Sequence, residues 1–445
     1  MRTKRVNDAP LSFSPSEPAG VWAKSYEIKL LTPMVGGGVT NWQVDRAQPI
    51  RASEIKHHLR FWWRTMQDPA TSIEELRKYE SRLFGDTEGA SSVRLMIEQE
   101  SAKDAQLLQL QIGGNGRCYD WKGLPGYVLF PLLGQKDAQK MRITNFTLLK
   151  EYSFTLRLTC PFTEKTAIEN AAILWLLFGG LGARTRRGAG SIWCPEVNNQ
   201  FASETVLSFL RNVVPARDIK SARPSSAFPV LSGGRLAISP IEQMDATAAW
   251  EALLGLGNQG WARNPPGYGD FRQGRNLARG PGAGRPGRSR WPEADALRTM
   301  CKTWSPTHKP RPDPGEWYPR AAYGLPVQFR FNRDPAHGGD PAEPDGDFSL
   351  LPVDTNRTIM DRWPSPFILK IVQAGGRLLE VGLLLNQQMP DICCNRDLRP
   401  GGIQNSAQPG EHSGKKLPYD FPIPAGHPHD GLFAQLFRGV TPYDL

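Results

Sequence analysis

Six cysteines in 445 residues are few, and they form no pattern. Cys118, Cys160, Cys194, Cys301, Cys393 and Cys394 include no C-x-x-C pair and no histidine at zinc spacing, which excludes a zinc ribbon and a disulfide framework. Adjacent Cys393 and Cys394 read as packing residues, and the chain reads as reduced and cytoplasmic. A run of about 18 apolar residues is also missing, so no membrane span is expected. Residues 1–8 are charged without an apolar core, unlike a signal peptide. No carboxylate constellation suited to a two-metal mechanism is visible. His427-Pro-His429-Asp430, alone in a proline-rich tail, is too weak a signal for a metal site. Neither metal nor cofactor is expected. Lysine is scarce beside arginine: 17 Lys against 37 Arg, for a net charge of +10. Arginine favours forked phosphate contacts and stacking on bases, although a basic surface that only aids solubility would look the same.

Glycine (44) and proline (39) are abundant, implying many loops or irregular insertions. Residues 1–20 read as a loose arm. Tyr26, Ile28 and Leu30 alternate with Glu27 and Lys29, the period of a half-buried strand. Ser53 is a candidate N-cap for a helix over 54–66. Ile55, Leu59, Trp62, Trp63 and Met66 take the core spacing of that helix. Lys56, Arg60 and Arg64 form a row on another face, about 6 Å apart along the axis, with Arg51 just before it. No acid stands at i±4 on the row to pair it, yet a solvated basic face is the commoner fate of such rows. A second helix is expected over 73–83 and a strand over 92–98. Leu107–Ile112 and Tyr127–Leu133 are strand candidates in what looks like an insertion. A strand over 152–159, a helix over 164–178 and a strand over 191–194 follow. Without the insertion the order is β-α-β-β-α-β, the ferredoxin-like arrangement shared with RRM-type RNA binders.

Between the last helix and strand lies Phe178-Gly-Gly-Leu-Gly-Ala-Arg-Thr-Arg-Arg-Gly-Ala-Gly-Ser-Ile-Trp193. Gly180, Gly182 and Gly188 surround Arg184, Arg186 and Arg187. A helix rather than a strand precedes it and Thr occupies position 185, which excludes a dinucleotide fingerprint; absence of Gly-Lys-Ser/Thr excludes a P-loop. Such a loop suits a polyanion, or else it is a surface turn with solvated arginines.

The second half also reads as mixed α/β. A helix is expected over 203–213, followed by a linker to Phe228 and a short strand over 234–239. Asp245 is expected to cap a helix ending at Leu254. Residues 263–290 hold seven arginines and one acid, Asp270. Poverty in apolar residues makes this a basic loop that orders on nucleic acid, or a disordered arm. A helix beginning at Trp291-Pro292, a strand over 325–331 and a hairpin of 366–373 with 377–385 around Ala374-Gly-Gly376 follow. Residues 386–430 are turn-rich, with a closing helix expected over 431–437.

Strand-Thr32-Pro33-Met34 with Gly36-Gly37, Arg51-x-Ser53-x-Ile55-Lys56, Leu59-Arg60-Phe61-Trp62-Trp63-Arg64 and Leu83-Phe84-Gly85 resemble the first subunit of the Cmr effector complex, a RAMP component of type III-B CRISPR systems. Gly180-x-Gly182 with Gly188 is similar to the RAMP glycine-rich loop. Arg290-Trp-Pro-Glu293, Pro319-Arg-Ala-Ala-Tyr-Gly-Leu-Pro326 and Ser365-Pro366 agree, so the resemblance covers about 26–385. His57 departs from it, since a glycine usually follows the helix lysine there. The resemblance implies an α+β chain of two ferredoxin-like (RRM-like) domains with long loop insertions: 21–215, including the helix motif 51–66 and the loop 179–190, and 216–445, including the basic loop 263–290. It implies a non-catalytic subunit of an antiviral ribonucleoprotein, whose partners are the 3′ part of the CRISPR guide RNA, complementary target single-stranded RNA and other Cmr subunits, with no membrane. RNA contacts would then be Arg51, Lys56, Arg60, Arg64, Gly180, Gly182, Arg184, Arg186, Arg187 and Gly188, with Arg263, Arg272, Arg275, Arg285, Arg288 and Arg290 of the basic loop. Two other readings stay open: a metal-independent endoribonuclease processing guide precursors, with His57 and His58 as the acid–base candidates, and a protein-only assembly subunit.

Overall fold

The computed structural model describes residues 20–38, 42–98, 105–113, 120–135, 141–214, 226–242, 244–255, 268–269, 291, 293–306, 318–337, 339–397, 436–437 and 440–445. Strict alternation builds the first sheet. In β5 (Ser153–Pro161) Phe154, Leu156, Leu158 and Cys160 are buried while their neighbours are half-exposed, the pattern of a sheet covered on one face. β5 pairs antiparallel with β1 (Val21–Leu30), Val21 opposite Pro161 and Lys29 opposite Ser153. β2 (Arg94–Glu98) flanks β5, and β6 (Ile192–Trp193) flanks β1. The resulting order is β2-β5-β1-β6. Helices α1 (Ala52–Thr65) and α2 (Ile73–Phe84) lie between β1 and β2 in sequence, and α4 (Lys165–Phe178) between β5 and β6, which completes a ferredoxin-like βαββαβ unit.

Among the described residues, α3 (Gly126–Leu129) and the hairpin of β3 (Gln106–Gln111) with β4 (Asn145–Glu151) sit inside this unit as an insertion. The strand expected at Tyr127–Leu133 is instead α3 followed by a 3-10 turn over Phe130–Gly134. Pro125 at the helix N-cap and Pro131 in the turn explain it, since proline favours a helix start and cannot donate to a ladder. β4 was not anticipated.

After α5 (Pro195–Asn198) and α6 (Ser203–Val213), β7 (Val230–Ile241) begins a second four-stranded sheet. β10 (Phe367–Ala374) and β11 (Arg377–Asn386) form the expected hairpin, with Gly375 and Gly376 at positive φ in its turn. The order is β10-β11-β7-β13, with β13 at Tyr443–Asp444. Taken in chain order, its strands repeat the 2-3-1-4 arrangement of the first sheet. α7 (Ala246–Leu254) follows β7, capped by Asp245 Oδ1, which accepts from the amides of Thr247 (2.8 Å) and Ala248 (2.9 Å). The expected short strand at 234–239 is the middle of β7. Most of the closing helix expected over 431–437, like His427 to Asp430 and the basic loop 263–290 apart from 268–269, lies outside the described residues.

A third sheet, β12-β9-β8, is formed by β8 (Val327–Arg330), β9 (Asp347–Val353) and β12 (Asp391–Asp397). It packs with α8 (Glu293–Cys301) around Leu297, Phe329, Phe348 and Leu350. Helix α4 explains how the first two sheets meet. Its sequence is apolar nearly all round, and Ile168, Ala171, Leu174, Trp175 and Leu177 are all buried. Such a helix needs cover on both sides; it touches β5 and β6 on one side and β10 on the other, and one apolar core runs through both sheets.

Candidate nucleic-acid interface

Helix α1 presents the basic row. It begins one residue before Ser53, and Arg51 is the N-cap without a side-chain cap bond; the expected Ser53 cap is therefore not formed. Arg51 Nη2 instead donates to the carbonyl of Gly37. Glu54, in the first turn, accepts from the backbone N–H of Gly182 and so fastens the helix start to the glycine-rich loop. A carboxylate there also meets the positive end of the helix dipole. Ile55, Leu59, Trp62 and Trp63 are buried as their spacing demands.

Lys56, Arg60 and Arg64 share the opposite face, all half-buried. The two arginines are paired, contrary to the reading of the row itself, because their acid comes from α2. Glu80 is 4 % exposed. It accepts from Arg60 Nε at 2.5 Å, from Arg64 Nη2 at 2.6 Å and from Arg64 Nε. Burial pushes the Glu80 carboxyl up, but the hydrogen bonds from Arg64 and Arg60 outweigh it and hold the group below the usual range. One carboxylate thus serves two guanidiniums, and with Lys56 beside them the row stays positive. Burial and then Arg60 lower the Lys56 ammonium. Burial, then His58 and the two arginines, lower His57. His58 Nε2 lies 3.8 Å from Glu54 Oε1.

The loop after α4 is clipped to the segment following β1. Gly190 N–H donates to Pro33 O (2.9 Å), Ala183 N–H to Val35 O (2.6 Å) and Leu181 N–H to Gly190 O (2.9 Å). Gly182, Gly188 and Gly190 have positive φ, and a Cβ on Gly182 would stand 2.5 Å from Val35 O. These glycines are therefore required by geometry. Gly180 has ordinary φ, but a Cβ there would lie 2.7 Å from Gly190 O.

The loop arginines are not solvated ornaments of a surface turn. Arg187 is buried; its Nη1 donates to Phe367 O (2.5 Å) in β10 and its Nη2 to Tyr268 Oη (3.0 Å), with the guanidinium 4.6 Å from the Tyr268 ring. Arg186 donates to Ser365 O and lies 5.0 Å from the Phe61 ring of α1. Arg184, itself left-handed at φ 65, donates from Nε to Val128 O (3.2 Å). Burial first, and then neighbouring Arg187 and Arg362, lower Arg184 and bring Arg186 down to about 10.

Around these arginines is a cavity of about 380 Å³, lined also by Tyr127, Tyr323, Trp363, Ser365 and Arg362. Helix row and loop are joined through Glu54–Gly182 and Phe61–Arg186. The basic-loop residues Arg263, Arg272, Arg275, Arg285, Arg288 and Arg290 lie outside the described residues. Glu80, Arg362 and the aromatic lining were not found from sequence. Their partners are distant in the chain, although Tyr323 and Ser365 fall in segments that carried the resemblance. Among the described residues no cluster of His, Cys, Asp or Glu is disposed to hold a metal ion, and no helix is long and apolar enough to cross a membrane.

Comparison with known proteins gives four findings. A Cmr subunit from Pyrococcus furiosus, Cmr1-2, is 24% identical over 177 residues, which is 38% of this chain and 92% of that protein. The apo crystal structure of Cmr1 from Pyrococcus furiosus aligns with a TM-score of 0.45 at 13% identity, over 95% of this chain and 98% of the other. A chain from the cryo-EM structure of the type III-B Cmr-beta bound to cognate target RNA aligns with a TM-score of 0.46 at 11% identity, over 84% and 96%. The model of the RAMP superfamily matches residues 27–193, which run from within β1 to the end of β6 and take in both α1 and the glycine-rich loop. That match places the chain's likeness to the RAMP superfamily on its first βαββαβ unit.

Proposed function

We propose that this chain is an RNA-binding, non-catalytic subunit of a type III-B CRISPR effector ribonucleoprotein, engaging the 3′ part of the guide RNA and complementary target RNA beside other Cmr subunits. The observation that carries this reading is the incompletely neutralised row of Lys56, Arg60 and Arg64, joined to the glycine-rich loop inside a RAMP domain. The Cmr1-2 likeness supplies the complex. Phosphate binding through arginine forks fits the row's spacing and favours little sequence preference. Arg51 and Arg187, held by Gly37 and by Phe367, act in this reading chiefly by shaping the surface, while Lys56, Arg60, Arg64 and Arg184 face the strand. The arginines of 263–290 are further RNA contacts in this reading.

The test is to mix the purified chain with labelled single-stranded RNA, with and without divalent metal, and to follow both native and denaturing gels. Intact RNA, shifted in a manner that weakens steeply with salt, is the expected result. Unshifted RNA in the presence of the partner subunits overturns RNA binding. Defined cleavage that vanishes in His57→Ala or His58→Ala overturns the non-catalytic role.

A further inference from the structure

Strand β2 ends the first sheet. In the order β2-β5-β1-β6 it pairs with β5 on one side, and among the described residues no strand pairs with its other side. Such an edge offers unpaired N–H and C=O groups to any strand that approaches. Natural edges are commonly guarded by charge, and β2, Arg94-Leu-Met-Ile-Glu98, carries a charge at each end. The two charges are of opposite sign and stand equally far from Met96, which changes what the edge admits.

Period two puts Arg94, Met96 and Glu98 on one face of the strand, and all three are exposed. Met96 leaves 50 % of its surface in solvent. Arg94 and Glu98 make no hydrogen bond or ion pair among the described residues. An antiparallel copy of β2, related by a two-fold axis at Met96, sets Arg94 opposite the partner's Glu98 and Glu98 opposite the partner's Arg94. Met96 then meets its own counterpart. On the other face Leu95 meets the partner's Ile97. Leu95 and Ile97 are half-buried and already pack on the apolar core of the sheet. Opposite charges and apolar side chains placed directly across an antiparallel ladder stabilise it, whereas like charges oppose it. A parallel copy in register would set arginine on arginine and glutamate on glutamate. A two-residue slip of the antiparallel pairing would bring Met96 opposite a charge. The five residues therefore fit one strand, in one direction and one register: their own.

We propose that β2 is a self-recognition edge, through which two copies of the chain associate by antiparallel β2–β2 pairing about Met96 and join their first sheets into one. The contact is isologous, so it closes at two copies. Five residues a side make a small interface, and the dimer is weak and reversible. The pairing does not rest on the RNA reading, since neither Arg94 nor Glu98 belongs to the basic row or the glycine-rich loop.

Sedimentation velocity of the RNA-free full chain over a concentration series tests it. The wild type should show a reversible monomer–dimer equilibrium in the micromolar range. Arg94→Glu sets acid against acid at both ends of the ladder, and Glu98→Arg sets base against base. Each should weaken association at least about tenfold, with an unmoved thermal midpoint because neither side chain holds anything in the fold. Mixed in equal amounts, the two variants are complementary again and should associate about as tightly as the wild type. The chain carrying both substitutions should also recover, which only an antiparallel arrangement allows. A chain that stays monomeric up to its solubility limit overturns the proposal and leaves the edge to a strand of another protein. A dimer indifferent to both single substitutions places the contact elsewhere and overturns it as well. A mixture no better than either variant alone, or a double variant that stays monomeric, would sink the two-fold pairing about Met96.

Discussion

Lys370 is fully buried in β10, and its Nζ donates to Gly179 O at the end of α4. Burial pushes its ammonium down to about 7 from an ordinary value of 10.5. Between those values the unfolded chain holds a proton that the folded chain has released. Stability should therefore rise with pH through that window, and the burial cost is greatest below about 7. The slope is bounded by about 1.4 kcal/mol per pH unit for one proton. Lys370→Met removes the titrating group, so the difference in stability between it and the wild type should change steadily between pH 7.5 and 9.5. Urea unfolding of both chains at several pH values measures this, and parallel curves would mean that Lys370 keeps its proton pattern on folding. Glycines offer a second residue-scale contrast. Gly376 and Gly190 both have positive φ, but a Cβ on Gly376 meets nothing within 4 Å, while on Gly190 it would stand 2.0 Å from Leu181 O. Gly376→Ala should cost about 1 kcal/mol from backbone strain alone. Gly190→Ala should cost well beyond that, because backbone must also move; equal losses in chemical denaturation would refute the close-approach account.

At the scale of elements, α1 and α2 act as one device. The acid that partly neutralises the basic row belongs to α2, so its strength is set by the packing of two helices. Glu80→Gln removes the acceptor charge while keeping the shape. Single-stranded RNA should then bind several-fold more tightly at low salt, with a steeper salt dependence. Thermal stability should fall modestly, since the arginine partners are about one-third exposed and screened. The Glu80 carboxyl is depressed, so the pair's contribution is present above the ordinary carboxylate range and lost as pH falls through the folded value. Unchanged affinity and salt slope in Glu80→Gln would show that the row does not face RNA. Element by element, the sequence made legible what short-range periodicity controls. Phe154, Leu156 and Leu158 announced β5, the apolar face of α1 was explicit, and Gly375-Gly376 marked the hairpin. It misled at 127–133, where an apolar run resembles a strand until Pro125 and Pro131 are weighed. Glu80 stayed hidden because nothing at i±4 links it to Arg60; only folding of α2 onto α1 does so. The cavity was hidden for the same reason, since Arg186 and Ser365 are 179 positions apart.

For the whole molecule, the seam between the two ferredoxin-like sheets is held by a few long-range contacts placed at the glycine-rich loop. α4 supplies apolar surface to both sheets, while Arg187 supplies the directional bonds. Its guanidinium reaches across the seam to Phe367 O, and Trp250 Nε1 returns a bond to the Arg187 carbonyl. A division of the chain at 215/216 remains a proposal, but a clamp of this kind makes any such units unfold together. Arg187→Met keeps much of the side chain's bulk and deletes its donors, leaving Phe367 O without that partner in a buried setting. A loss of about 2–4 kcal/mol is expected, as for charged hydrogen bonds whose acceptors stay buried. Cooperativity should suffer as well: with the guanidinium's bonds gone and the seam left to its apolar contacts and the bonds of Lys370, Arg186 and Trp250, unfolding should spread into two steps. Circular dichroism and tryptophan fluorescence, followed through one urea titration, should then give separate midpoints in the variant and a common midpoint in the wild type. Coincident curves with an unmoved midpoint would show that the apolar seam alone couples the two halves, and that Arg187 serves the cavity rather than the fold.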